Sequence, residues 1–425
     1  MERLSASGRL GALFGVVTAM VAQGACGSSN SGGPATGPSV TGPLTVGFLM
    51  PATGSLADQA VVWEAAAQLA QTEINDAGGL MGRPLTLDIQ DSQMDNTMAA
   101  TLAQTLLDGS HASFLLTADG TAPVIAIMQS SLPKPAILLA STASGDELVT
   151  MDSTDTVFRT VASVALIGGG TARAALDRGA KTMAILQGNN PYTLGCANAA
   201  AAYFQQAGGT ITATVTFPYA PSKTYDYATD LATASAGAPD VIYLVPHPAV
   251  GITFLQAWTA AASAKFAGQW YLNETLRTPA IPSNVGVAAT EGMRSVCPAG
   301  NPAGDDVMIA AFKKTPTAVG DPSIPRVAEN YDAVYLMALA IAQAGTSTDV
   351  DALRTALRAV ANPPGTVVGP GEFAKAVALI QAGTDINYEG ASGPCDLDDQ
   401  GNVNPTMAEW ELQYGQFTVL RTFSP

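Results

Sequence analysis

Short apolar runs alternate along the chain with longer stretches whose small and apolar residues recur at helical spacing, and Gly, Pro and Asn-Asp turns punctuate both. Leu44 to Met50 (LTVGFLM) has the length and near-continuous apolarity of a buried parallel strand, and Pro51-Ala52-Thr53-Gly54 ends it. Asp58 to Ile74 has a helical period and stops at Asn75-Asp76-Ala77-Gly78-Gly79. Strands at Leu85 to Ile89, Ala112 to Leu116 and Ala136 to Leu139 follow, separated by helices at Met98 to Leu107 and Ala122 to Ser130. Such alternation predicts a parallel sheet covered by helices on both faces.

A second series begins after Phe158-Arg159-Thr160. It predicts helices at Leu166 to Arg178, Gly195 to Ala207, Tyr225 to Ala234 and Val250 to Ala262. The intervening strands are Thr182 to Leu186, Thr210 to Phe217, Asp240 to Val245 and Gln269 to Leu272. Ala328 to Ala344 and Val350 to Ala361 read as further amphipathic helices, and Glu409 to Phe423 as two strands turning at Gly415-Gln416. The fold class expected is α/β, with two doubly wound parallel-sheet lobes.

The first residues follow a different rule. Arg3 and Arg9 precede an apolar run from Leu10 to Ala22, interrupted by Gly11, Gly15 and Thr18, and small residues follow it. This is the order of a secretory signal peptide over residues 1–25, and the run is short of the roughly 20 apolar residues that span a membrane. Gly24-Ala25-Cys26 resembles the lipobox of bacterial lipoproteins, although Gln23 stands where an aliphatic side chain is usual; lipidation of Cys26 is implied. The alternative is an ordinary cleavage site that leaves Cys26 a thiol. Residues 26–43 are almost entirely Gly, Ser, Pro, Thr and Asn, a composition that behaves as a flexible tether.

Composition narrows the function classes. About 380 residues beyond the tether are too many for one ordinary core and suit two domains. The formal net charge is -16 and no basic patch exists to hold nucleic acid or an anionic membrane face. Besides Cys26, the thiols are Cys196, Cys297 and Cys395, with no CxxC or Cys/His cluster of the kind that holds zinc. GxSxG, GxxxxGK[ST], HExxH and a GxGxxG after the first strand are all missing, so the sequence argues for no enzyme and no cofactor. Asp396-Leu397-Asp398-Asp399-Gln400-Gly401 imitates the start of a calcium loop, but its twelfth position is Met407 instead of a bidentate carboxylate, and a tight turn between strands is expected, with no metal.

Taken in order, several segments resemble the periplasmic leucine/isoleucine/valine-binding protein family. They are Val46-Gly47-Phe48-Leu49-Met50-Pro51-Ala52-Thr53-Gly54, Glu73-Ile74-Asn75-Asp76-Ala77-Gly78-Gly79 with Gly82-Arg83-Pro84-Leu85, and Asp91-Ser92-Gln93. Phe158-Arg159-Thr160, Glu291-Gly292, Asn330-Tyr331-Asp332-Ala333-Val334 and Asp398-Asp399-Gln400-Gly401 come later. Each is weak alone; the order over nearly the whole chain is what carries the resemblance.

The resemblance implies a three-segment hinge near Thr160 to Ser163, Ser295 to Pro298 and Ile386 to Pro394. Lobe one is then 44–160 with 298–385, and lobe two 161–297 with 386–425. Cys297 and Cys395 fall at two crossings, which implies a disulfide, with two buried thiols as the alternative; Cys196 reads as a buried apolar residue. A free amino acid is a zwitterion, so a dry cleft must offer donors to its carboxylate and a charged acceptor to its ammonium. By resemblance the donors come from Thr117 to Thr121 and Ala140 to Ser144, with hydroxyls on Thr121, Thr142 and Ser144; Ala118 replaces the family's usual Ser. Tyr192, His247 and Glu274 fall at the carboxyl ends of second-lobe strands, where open α/β sheets bind ligands. Glu274 matches the family's ammonium-binding carboxylate, Tyr192 a cleft aromatic, and Trp63 is a further wall candidate or a core residue. The implied function is delivery of an amino acid or similar solute by a monomer to an ABC-type permease through hinge closure. The alternative is a sensor of the same fold signalling to a membrane partner.

Overall fold

The computed structural model describes residues 42–424 except 55, 219–221, 223–224 and 261–265. The signal peptide, Cys26 and nearly all of the tether therefore lie outside the described residues. Five parallel strands form the first sheet: β1 (Leu44–Met50), β2 (Leu85–Asp91), β3 (Phe114–Thr117), β4 (Ile137–Ala140) and β5 (Val157–Arg159), in the order β2-β1-β3-β4-β5. The second sheet has seven: β6 (Thr182–Gly188), β7 (Thr210–Phe217), β8 (Val241–Val245), β9 (Gln269–Leu272) and β10 (Arg294–Pro298), then, after a separate two-stranded pair of β11 (Thr366–Val368) and β12 (Ile386–Tyr388), β13 (Met407–Gln413) and β14 (Gln416–Phe423). Its order is β14-β13-β10-β9-β8-β6-β7, antiparallel only where β13 meets β10 and β14.

Burial explains why the apolar runs became strands. On β1, Val46, Phe48 and Met50 enter one core cluster and Leu49 the opposite one. On β6, Ala184 and Leu186 face one core and Met183 and Ile185 the other. A strand with helices on both faces needs apolar side chains at every position, and each large one fully buried contributes roughly 1.5–3 kcal/mol. The helix Val327–Ala344 is the spine of the first lobe, buried along nearly its whole length.

Local chemistry sets the helix boundaries. Asp95, Ser163, Asn190 and Asp349 each cap a helix by accepting a backbone N–H. The first helix, Ala57–Asp76, is followed by Gly78 at φ +105 and Gly79 at φ +75, and a Cβ on Gly79 would stand 2.1 Å from the Arg83 carbonyl oxygen. The Asn190 cap and Pro191 start the next-lobe helix Pro191–Gln206 four residues before the sequence reading, so Tyr192 sits in its first turn and not on a loop.

Two expectations need correction. Residues 386–403 stay with the first lobe: β12 pairs with β11, and Ile386, Tyr388, Ala391, Leu397 and Val403 complete the first core. The third crossing comes only as the chain reaches Met407, because these side chains close an apolar surface that Val327–Ala344 would otherwise expose. For the same reason the implied bridge does not form. Cys297 packs in the second core with Trp410, Cys395 packs in the first with Tyr388, and both are free thiols, as is Cys196. The Asp398 segment is a tight turn: its carboxylate accepts the Gln400 and Asn402 amides at 2.9 Å each, and Leu397 bridges Val403.

Candidate ligand-binding cleft

Strand order reverses beside β1, where β2 and β3 flank it, and beside β6, where β7 and β8 do. Loops diverge at such points and leave a crevice at the carboxyl ends of the strands. A cavity of about 230 Å³ occupies that crevice. The first lobe contributes Trp63 and Gln59, Met94 and Asn96 beyond β2, Gly120 to Pro123 beyond β3, Thr142 beyond β4, and Pro325 with Arg326. The second contributes Asn190 to Tyr192 beyond β6, Pro246 to Pro248 beyond β8, and Thr275 beyond β9. Its volume is below the roughly 300–1,000 Å³ of drug-sized sites, so it suits a small solute.

Of the residues singled out from the sequence, Thr121, Thr142, Tyr192 and His247 line this cavity, and Trp63 joins them. Thr121 opens the helix Thr121–Gln129, whose first turn faces the cavity; its hydroxyl accepts the Gly145 amide at 3.1 Å. The Thr142 hydroxyl donates to the Asp119 carbonyl. Asp119 turns its carboxyl toward the Ser92 and Thr117 hydroxyls, and burial pushes its pKa up to about 6. His247 is held neutral at pH 7, since burial brings it down to about 4.

Ala118 and Ser144 do not reach the cavity wall. Ala118 is a core residue whose amide donates to Leu49, and Ser144 lies buried at the first crossing, where its carbonyl accepts the Val164 amide at 2.8 Å. Glu274 is set back from the cavity, 1% exposed, in a second, polar cavity of about 100 Å³ that also holds Arg277, Asp305 and Glu329. The Tyr192 hydroxyl lies 2.7 Å from Asn273 Oδ1 and 2.9 Å from Glu274 Oε1 and donates its proton to one of them.

The residue that the sequence reading missed is Arg326. It lines both cavities, and its guanidinium Nη2 meets Glu274 Oε1 while Nη1 lies 3.3 Å from Glu329 Oε1. Burial opposes its charge, but Glu274 and Glu329 outweigh that and raise its pKa above the ordinary value. Its backbone sits in the left-handed region at φ 76, which costs a non-glycine residue about 1–2 kcal/mol. The Trp63 indole N–H pins the segment by donating to the Pro325 carbonyl at 2.9 Å. Nothing in the local pattern marks Arg326; the only hint is a cation directly after a proline at a helix start.

Comparisons with known proteins agree with this architecture. A sequence model of the periplasmic binding protein family matches residues 43–386. The chemotactic signal transduction system substrate-binding protein of Halobacterium salinarum is 26% identical over 370 residues, covering 84% of this chain and 83% of the relative. Among solved structures, a solute-binding protein of an ABC transporter from R. palustris, in complex with benzoate, superposes with a TM-score of 0.72 at 18% identity, covering 90% of this chain and 97% of that one. A branched-chain amino acid transporter substrate-binding protein from Streptococcus pneumoniae, in complex with isoleucine, gives 0.70 at 18% identity, covering 90% and 100%. Two doubly wound lobes, a crevice at the carboxyl ends of their strands and a family match over most of the chain lead to one conclusion: the protein belongs to the type I periplasmic binding protein family.

Proposed function

We propose that this protein is an exported binding protein that captures a small solute between its lobes and hands it to an ABC-type permease, held at the membrane by a lipid on Cys26. The observation that carries this reading is the 230 Å³ cavity walled by strand-end loops of both lobes, because a ligand there touches each lobe and favours their closed arrangement. Thr121 and Thr142 offer hydroxyls from one side, and Tyr192 and His247 close the other. Membership in a periplasmic family supports export. No helix among the described residues is long and apolar enough to cross a membrane.

A second reading is favoured by one observation, the chemotactic relative: the closed lobes then signal to a membrane receptor instead of a permease. Thermal unfolding against a panel of small carboxylates, amino acids and neutral solutes tests the shared claim, since a solute that binds only the folded state raises the melting temperature. With that solute identified, a deletion strain that loses uptake supports delivery, and one that keeps uptake but loses its swimming response supports sensing.

A further inference from the structure

We propose that the solute is a small monocarboxylate with an apolar body and no ammonium group. This rests on the solute-binding reading and deepens it. The carboxylate aligned with an ammonium site, Glu274, already has a cation: Arg326 reaches it from the first lobe and fills the place where a zwitterion's ammonium would pair. Of this ion pair only Arg326 belongs to the wall of the cavity, while Glu274 lies behind it in the second, polar cavity. An ammonium group entering would leave water to meet a guanidinium, and a buried charge without a counter-charge is strongly disfavoured.

A carboxylate fares better on the same wall. Only two of the five guanidinium N–H donors are used on Glu274 and Glu329, and Arg326 is the only charged residue among the described residues lining the cavity. The helix Thr121–Gln129 starts at the cavity with no acidic residue in its first turn, and the Thr121 hydroxyl, which accepts the Gly145 amide, has its own proton to donate, a second feature that favours an anion. The rest of the wall combines Trp63, Met94, Tyr192 and prolines, which solvate an apolar body, with the neutral polar side chains of Gln59, Asn96, Asn190, His247 and Thr275, none of which gives an amino group an acceptor charge.

The test is calorimetric titration of the full chain with matched pairs that differ only by the ammonium: 4-methylpentanoate against leucine, and 3-phenylpropanoate against phenylalanine, with benzoate and neutral amides alongside. The carboxylates are expected to bind about 10- to 100-fold more tightly than their amino-acid partners, the range spanned by one charged hydrogen bond gained or lost. In Arg326→Gln, which uncovers Glu274, the ratio is expected to move at least about tenfold toward the amino acid; the wild-type pairs decide the matter even if that variant does not fold. Tighter binding of leucine or phenylalanine, or binding of neutral amides alone, overturns the inference and leaves the solute-binding reading standing. Binding of nothing in the panel overturns both.

Discussion

Two buried glutamates of the second lobe are paired with arginine in different ways. Glu409, on β13, accepts Arg178 through two hydrogen bonds of 2.6 and 3.1 Å, Arg421 at 2.8 Å and the Tyr271 hydroxyl at 2.9 Å, all from its own lobe. Glu274 accepts Arg326 from the other lobe, and the Tyr192 hydroxyl is beside it. The chemistry is the same, but the first pair lies within one lobe, whereas the second joins the two. One glutamate therefore ties its own lobe together and the other ties the two lobes to each other, where the proposed hinge motion would act. The difference is set by which lobe supplies the arginine.

The largest expected effect is at Glu409. Removing one partner of a buried pair costs about 3–5 kcal/mol, but Arg178 and Arg421 each keep about a third of their side chains in water and can turn outward, so Glu409→Ala should lower unfolding free energy by about 2 kcal/mol in a urea titration. Burial opposes the charge of Glu409, yet the bonds from Arg178, Arg421 and Tyr271 outweigh it and hold its pKa below the ordinary 4.5. A depressed folded value gives stability that is present above that pH and lost as acid titrates the folded carboxylate. The deficit of Glu409→Gln relative to wild type should therefore shrink as pH drops below about 4.5; a deficit that stays constant would mean that packing alone is lost.

Asp119 sharpens the comparison by having no cation at all. Burial raises its pKa from 3.8 to about 6, against the bonds from Ser92 and Thr117, so its contribution is present below pH 3.8 and lost as pH rises through about 6. Asp119→Asn should then be more stable than wild type by about 1–2 kcal/mol at pH 7 and show no gain near pH 3.5, the opposite sign to Glu409. Equal stability at pH 7 would show that water reaches the carboxyl.

Breaking the cross-lobe pair should cost the fold less. In Glu274→Ala, Arg326 regains water when the lobes part, so unfolding free energy should fall by under about 1 kcal/mol, while X-ray scattering of the unliganded protein shows a larger radius of gyration. An unchanged radius would show that other contacts hold the lobes together. The smallest effect expected is none. Cys196, Cys297 and Cys395 are free, so a reductant should leave the melting temperature unchanged and three described thiols should titrate in the denatured, unreduced chain.

Legibility in the sequence followed how local each signal is. β1 and β9 were placed to the residue, because a buried parallel strand is a near-continuous apolar run bounded by turn residues. β5, β11 and β12, of three residues each, carry no such run and went unseen, as did the helix Pro302–Phe312. Strand ends pointed to Tyr192 and His247 and the resemblance to Thr121 and Thr142, and all four line the cavity. Ser144 and Ala118 were carried by resemblance to loops of which only Gly120, Thr121 and Thr142 line the cavity, and one residue along such a loop is enough to turn a side chain into the core.

What the sequence determined by itself was the succession of strands and helices, hence two doubly wound lobes and a crevice at their strand ends, because hydrophobic periodicity needs only neighbouring residues to be read. Tertiary structure alone decided which lobe takes residues 386–403, that Cys297 and Cys395 lie in different cores, and that Arg326 occupies Glu274. Each of these depends on groups far apart in the chain, 52 residues in the case of Arg326 and Glu274, brought together only when the sheets are stacked and the lobes meet; a buried charge then takes whatever counter-charge the packing delivers.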